Sequence, residues 1–124
     1  MIDTNAFAVQ LQTELERVTT DLSAIASFNE VTGDWVAIPD PKELQETDEN
    51  SEADAVEGWN ERQATVAQLE MIYHNTKRAL QKITDGTYGA CEICGSTIEE
   101  DRISFLPTAR TCKEHRDEER TLAL

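Results

Sequence analysis

Two stretches of this chain repeat apolar residues at helical spacing, and the segment between them does not. From about Asp3 to Phe28, the positions Phe7, Leu11, Leu15, Val18, Leu22 and Ile25 recur every three or four residues. Gln10, Gln12, Glu14, Arg17 and Asp21 turn away from that stripe. The spacing predicts one amphipathic helix of roughly 40 Å, capped by Asp3 or Thr4. A second helix, roughly 50 Å long, is predicted from about Asp48 to Ile83. Its stripe is Ala55, Trp59, Val66, Leu69, Tyr73, Thr76, Leu80 and Ile83, interrupted by Arg62; Gly58 is its weak point. Asp85-Gly86 ends it, and Lys77, Arg78 and Lys82 suit the negative end of its dipole. The intervening Val31 to Pro41 holds Gly33, Pro39 and Pro41 and cannot continue a helix. Two such stripes joined by about 20 residues predict an antiparallel helical hairpin.

Beyond the second helix the pattern changes from apolar periodicity to paired ligands. Cys91-Glu92-Ile93-Cys94 is followed, after 17 residues, by Cys112-Lys113-Glu114-His115. These are all three cysteines and one of the two histidines. Two ligand pairs, each separated by two residues, are the signature of a closed tetrahedral zinc site with no position left for water. One structural Zn2+ held by Cys91, Cys94, Cys112 and His115 is therefore expected. Gly95, directly after Cys94, suits a knuckle that needs positive φ, and Gly89 loosens its entry. The bland alternative is a Cys91–Cys94 redox pair with Cys112 free, but no βαβ pattern precedes Cys91. An odd cysteine count, and an N-terminus without a basic region or long apolar core, argue against a secreted disulfide framework and for a reducing cytoplasm. A zinc deaminase needs His-x-Glu and Pro-Cys-x-x-Cys, whereas here Ala90 precedes Cys91, and Asn75 and Thr76 follow His74. His74 sits in the long helical stretch with no partner ligand three or four residues away, which reads as surface or helix packing. A short terminal helix is predicted from Glu114 to Leu124.

With 124 residues and few aromatics, the core is thin, so a metal supplies much of the stability of the C-terminal part. No apolar run approaches the ~20 residues that span a bilayer. The net charge of −14 argues against a binder of phosphate backbones. The acid is uneven: ten carboxylates lie between Glu30 and Glu57, against the single Lys42. An acidic run is usually a solvated loop, but this one is bracketed by two helices. A rod with a zinc knob at its base and an acidic far end suits insertion into a narrow, basic channel of a larger partner.

The stretch Asp85-Gly86-Thr87-Tyr88-Gly89-Ala90-Cys91-Glu92-Ile93-Cys94-Gly95, then Ile98-Glu99-Glu100, Arg102-Ile103, Leu106-Pro107-Thr108-Ala109-Arg110 and the Cys112 to His115 pair, closely resembles the DksA/TraR zinc-finger family. The upstream hairpin extends the likeness more loosely to most of the chain. The resemblance implies a bacterial transcription regulator that binds RNA polymerase rather than DNA, through the secondary channel. The family usually has four zinc cysteines; here the fourth position is His115. Studied members carry Asp-x-x-Asp-x-Ala at the hairpin tip. Counted back from Cys91, the matching positions are Asp48, Ser51 and Ala53, with Glu52 or Asp54 available in a shifted register. The resemblance implies that Asp48, Glu52 and Asp54 face the polymerase near its catalytic Mg2+. The alternative is that they only begin a helix, where acids suit the dipole. Leu106 stands where alarmone-linked members often have arginine, and Asn75 replaces a lysine, although Arg116 is compatible. Guanosine tetraphosphate binding in the same way is not expected.

The expected fold is mainly α: a coiled-coil hairpin over 1–84 with an acidic tip region near 29–57, then a zinc finger over 85–124 and its short terminal helix. The expected protein is a cytoplasmic monomer that binds RNA polymerase, without sequence-specific DNA binding and without a membrane. The rival is a zinc-stabilised dimerisation module using Trp35, Ile38 and Trp59. A redox or zinc sensor is the third reading. No nucleophile–base pair, phosphate loop or open metal site is visible, so an enzyme is the least expected class.

Overall fold

A computed structural model describes residues 3–39 and 49–123, with side chains described outside 49–55. The fold is mainly helical. Its elements are α1 (Thr4–Ile25), β1 (Ala26–Asn29), β2 (Asp34–Ala37), α2 (Glu49–Asp85), α3 (Glu100–Phe105) and a C-terminal 3-10 helix (Lys113–Thr121). No described helix is long and apolar enough to cross a membrane. The chain divides into two compact units, Arg17–Tyr73 on one hand and Met1–Glu16 with His74–Leu124 on the other.

Within Arg17–Tyr73, the centres of the predicted stripes are buried, while Ile25, Trp59 and Leu69 are half-buried. Val18 and Leu22 of α1 are almost inaccessible, as are Val66 and Tyr73 of α2. Arg62, which interrupts the α2 stripe, is accommodated because its guanidinium Nη1 donates to the carbonyl of Ile38 at 3.1 Å. A charged side chain on a packing face is tolerable when a backbone acceptor meets it.

The segment after α1 departs from the predicted helix and loop. α1 stops at Ile25, and Ala26–Asn29 pairs antiparallel with Asp34–Ala37, setting Phe28 opposite Trp35. The reversal is encoded locally. The Asn29 carboxamide oxygen accepts from the Val31 and Thr32 amides, Thr32 Oγ1 accepts from the Asp34 amide, and Gly33 takes φ 76°. Packing decides between helix and strand for Phe28. In the strand its ring lies 5.2 Å from Trp35 and 6.2 Å from Tyr73, while Trp35 meets Tyr73 edge-on at 5.7 Å. The Trp35 amide then donates to Glu70 Oε1 of α2 at 3.1 Å, which occupies a donor on the outer edge of β2.

In the other unit, Asp3 caps α1 by accepting from the Asn5 and Ala6 amides. α2 ends in a Schellman turn. Gly86, at φ 80°, donates to Ile83, and Thr87 donates to Lys82 at 2.9 Å. Around the finger the buried cluster is small: Cys91, Ile98, Ile103, Ala109 and Cys112, with Phe7 and Tyr88 packed against it.

Leu22 has no exposed surface. Leu22→Ala is expected to cost about 3 kcal/mol of stability. The check is a urea titration, in which the midpoint falls while the slope stays constant.

Candidate metal centre

Two backbone devices bring the ligands together. The first is a knuckle: the Cys91 amide donates to Ser96, Ile98 donates to Gly89, and Ala90 bridges Thr97. Gly95 at φ 75° turns the chain so that its amide reaches the Cys91 carbonyl at 2.9 Å. The Ile93 amide points at Cys91 Sγ, 3.4 Å away. The second device is the start of the 3-10 helix, where the His115 amide donates to the Cys112 carbonyl at 3.1 Å. That i→i+3 bond folds Cys112 and His115 onto one side. It also explains why the terminal helix, expected from Glu114, is wound as 3-10 from Lys113. The Glu92 amide joins the two devices by donating to the Arg110 carbonyl at 2.8 Å.

The sulfurs of Cys91, Cys94 and Cys112 and a ring nitrogen of His115 all lie within 4.8 Å of one another. Cys94 Sγ is 3.8 Å from Cys112 Sγ. His115 Nδ1 is 3.9 Å from Cys91 Sγ and 3.3 Å from Cys112 Sγ. Ordinary zinc–ligand bonds at tetrahedral angles place two sulfurs about 3.8 Å apart, and a sulfur and a nitrogen about 3.6 Å apart. The donor set fits zinc in chemistry as well as size. Burial pushes the Cys91 thiol up, but the Cys94, Cys112 and Ile93 amides outweigh it and hold the thiol at about 6. Cys112 is pushed up, first by burial and then by the adjoining sulfurs. A bound divalent cation resolves that conflict, because it stabilises neighbouring thiolates together. The chemistry it supplies is cross-linking, since four protein donors complete the shell.

A polar frame supports the ligands, and spacing gave no hint of it. Arg110 grips Glu92 with two bonds, Nε to Oε2 at 2.6 Å and Nη2 to Oε1 at 2.9 Å, while Lys82 of α2 reaches Glu92 Oε2 at 2.8 Å. Hydrogen bonding to Arg110, aided by Lys82, lowers the Glu92 carboxyl to about 2. Glu119 Oε1 accepts from the Arg110 and Thr111 amides. Arg102 Nε donates to the Thr111 carbonyl at 2.7 Å. Glu99 accepts from the Lys113 amide at 2.8 Å, next to the ligand Cys112. Tyr88 donates to the Pro107 carbonyl at 2.7 Å, and burial raises its phenol to about 12.

The other singled-out residues lie elsewhere. His74 is half-buried on α2; Glu70, one turn earlier in the same helix, is an acidic neighbour that the sequence reading overlooked. Asp48 lies outside the described residues. Glu52, Ala53 and Asp54 fall in the first turns of α2, and their side chains lie outside the described set.

Residues 86–114 match the family model of the prokaryotic dksA/traR C4-type zinc finger. An uncharacterized protein of Aquifex aeolicus is 53% identical over 34 residues, which are 27% of this chain and 23% of the relative. General stress protein 16O of Bacillus subtilis is 43% identical over 47 residues, 37% of this chain and 29% of the relative. The matched segments thus span less than a third of either relative. The structure of transcription factor DksA2 from Pseudomonas aeruginosa is similar with a TM-score of 0.56 at 19% identity, over 92% of this chain and 74% of that one. At that identity the likeness is one of fold.

Glu92→Gln is expected to retain zinc but cost about 1 kcal/mol, a modest figure because these charges are partly exposed. Metal analysis and thermal melting check it. Cys94→Ser is expected to lose the metal and unfold the finger, since structural zinc is part of its folding free energy; stoichiometric zinc with an unchanged melt would refute this. His115→Cys is expected to keep one zinc and shift the absorption of the cobalt-substituted protein toward that of a four-thiolate site. The match to the finger stops one residue short of His115, where the histidine takes the place of the fourth cysteine. Residues 86–114 thus match a dksA/traR C4-type zinc finger, within a fold similar to that of DksA2.

Proposed function

We propose that this chain is a cytoplasmic, monomeric transcription regulator that binds RNA polymerase through its secondary channel. In this reading, Cys91, Cys94, Cys112 and His115 hold one structural zinc, residues 1–84 form the hairpin and 85–124 the finger. The protein has no catalytic role and reads no DNA sequence. The observation that carries the proposal is the pairing of a dksA/traR zinc finger with a fold similar to that of a transcription factor, DksA2. The charge distribution supports it. An acidic segment between Glu30 and Glu57 repels nucleic acid and is drawn to a basic channel. Asp48, Glu52, Ala53 and Asp54 are the proposed contacts at the tip, with the carboxylates directed toward the polymerase active centre.

The test is titration of zinc-loaded protein with bacterial RNA polymerase, alongside transcription in vitro. The wild type is expected to bind and to change initiation. Asp48→Asn/Asp54→Asn is expected to bind but to lose about tenfold of the transcriptional effect, as deletion of a close charge contact does. A wild-type protein that leaves polymerase untouched, or a variant with full effect, contradicts the reading. Concentration-dependent dimerisation without polymerase binding would favour the interaction module instead.

A further inference from the structure

The 3-10 helix that carries His115 runs for nine residues, Lys113–Thr121, where about three or four are usual. At about three residues per turn, side chains three positions apart stand in one row. His115, Glu118 and Thr121 form such a row. The other acids near His115 stand off it: Glu114, Asp117 and Glu119 lie about a third of a turn away. Glu119 is also occupied elsewhere, accepting from the Arg110 and Thr111 amides. The electrostatics single out the same residue. Burial disfavours a charged imidazole at His115, but the Cys94 and Cys91 sulfurs, and then the Glu118 carboxylate, raise its pKa. Glu118 thus acts on the ring from the row that the ring itself occupies.

The ring nitrogen that faces the sulfurs is Nδ1, 3.3 Å from Cys112 Sγ and 3.9 Å from Cys91 Sγ. The His115 amide donates to the Cys112 carbonyl, which holds the two residues on one short turn. Such a turn suits the nitrogen nearer the backbone. Coordination through Nε2 would need the ring turned over and carried farther from Cys112. A neutral imidazole that offers Nδ1 to a metal keeps its proton on Nε2. That N–H is a donor on the side of the ring away from the sulfurs. A carboxylate that accepts from it fixes the tautomer and makes the ligand nitrogen more basic. We infer that His115 binds the metal through Nδ1 and that Glu118, one 3-10 turn later, is its positioning residue, accepting the hydrogen bond that Nε2–H donates. This assignment depends on the zinc centre described above and not on polymerase binding. It gives the fourth ligand of this chain an anchor that a cysteine in the same place would not need.

The test is NMR of the zinc-loaded, full-length chain labelled with heavy nitrogen, with His74→Gln used to tell the two histidine rings apart. The His115 ring is expected to show a metal-bound Nδ1 and a proton on Nε2. Zinc affinity is read separately, by competition with a chromophoric chelator. Glu118→Gln is expected to keep the wild-type circular dichroism, to bind zinc about tenfold more weakly and to shift the Nε2 proton resonance. Asp117→Asn, off the row, is expected to match the wild type in both readouts. A metal-bound Nε2 overturns the inference outright. An unmoved Nε2 proton or an unchanged affinity in Glu118→Gln overturns the role of Glu118, as does an equal loss in Asp117→Asn. If the wild type holds one zinc and these signals fail, the metal centre stands and the inference alone falls. If the wild type holds no zinc, both fall.

Discussion

The tetrahedral convergence of three sulfurs and one imidazole is the constraint on which the C-terminal half depends. Cys91 and Cys112 are ligands and also two of the five residues of the buried cluster around the finger. The remaining core, Ile98, Ile103 and Ala109, is too small to offset the conformational entropy of ordering the segment from Gly86 onward. Structural zinc changes that balance by cross-linking two ligand pairs 17 residues apart. Core and metal site are therefore one object, and a lost ligand also leaves a hole in the packing.

A ligand cluster fixes distances between its own atoms but does not fix its attachment to a helix. That falls to Glu92, which sits between two ligands and holds Arg110 on one side and Lys82 of α2 on the other. Arg110 is two residues before Cys112, so one carboxylate ties the knuckle, the second ligand segment and the end of α2 together. Glu119 does the same for the 3-10 helix, gripping the Arg110 and Thr111 amides while Arg102 of α3 holds the Thr111 carbonyl. Glu92, Glu99 and Glu119 are thus structural in use. The acids between Glu30 and Glu57 are too numerous for the single Lys42 among them to balance.

What the sequence made legible was whatever repeats or sits at fixed spacing. Phe7 to Ile25 and Trp59 to Ile83 announced two helices because burial on one helical face has a period. The ligand pairs announced a zinc site because tetrahedral geometry restricts spacing. Gly86 and Gly95 announced turns because both sit where positive φ is required. The β1–β2 hairpin was missed for a physical reason. Strands of four residues carry too little alternation to register, and Ala26 to Phe28 extends a credible helix. The contacts of Phe28 with Trp35 and the distant Tyr73, which favour the strand, leave no short-range trace in the sequence. The frame around Glu92, Arg110, Arg102 and Glu119 was equally silent, because pairs far apart in sequence obey no short-range rule.

The same contrast bears on function. The finger uses Glu92, Glu99 and Glu119 on its own amides and cations, whereas the segment from Glu30 to Glu57 has almost no internal counter-charge. Uncompensated charge of one sign is a standing cost of self-repulsion, relieved when a surface of opposite sign approaches. That relief is long-ranged and orients an encounter, but it discriminates poorly between basic partners. Short-range discrimination needs shape and apolar contact held on an ordered frame. The hairpin turn, braced by Asn29 and Gly33 and anchored through Trp35 to Glu70, is an ordered frame of that kind.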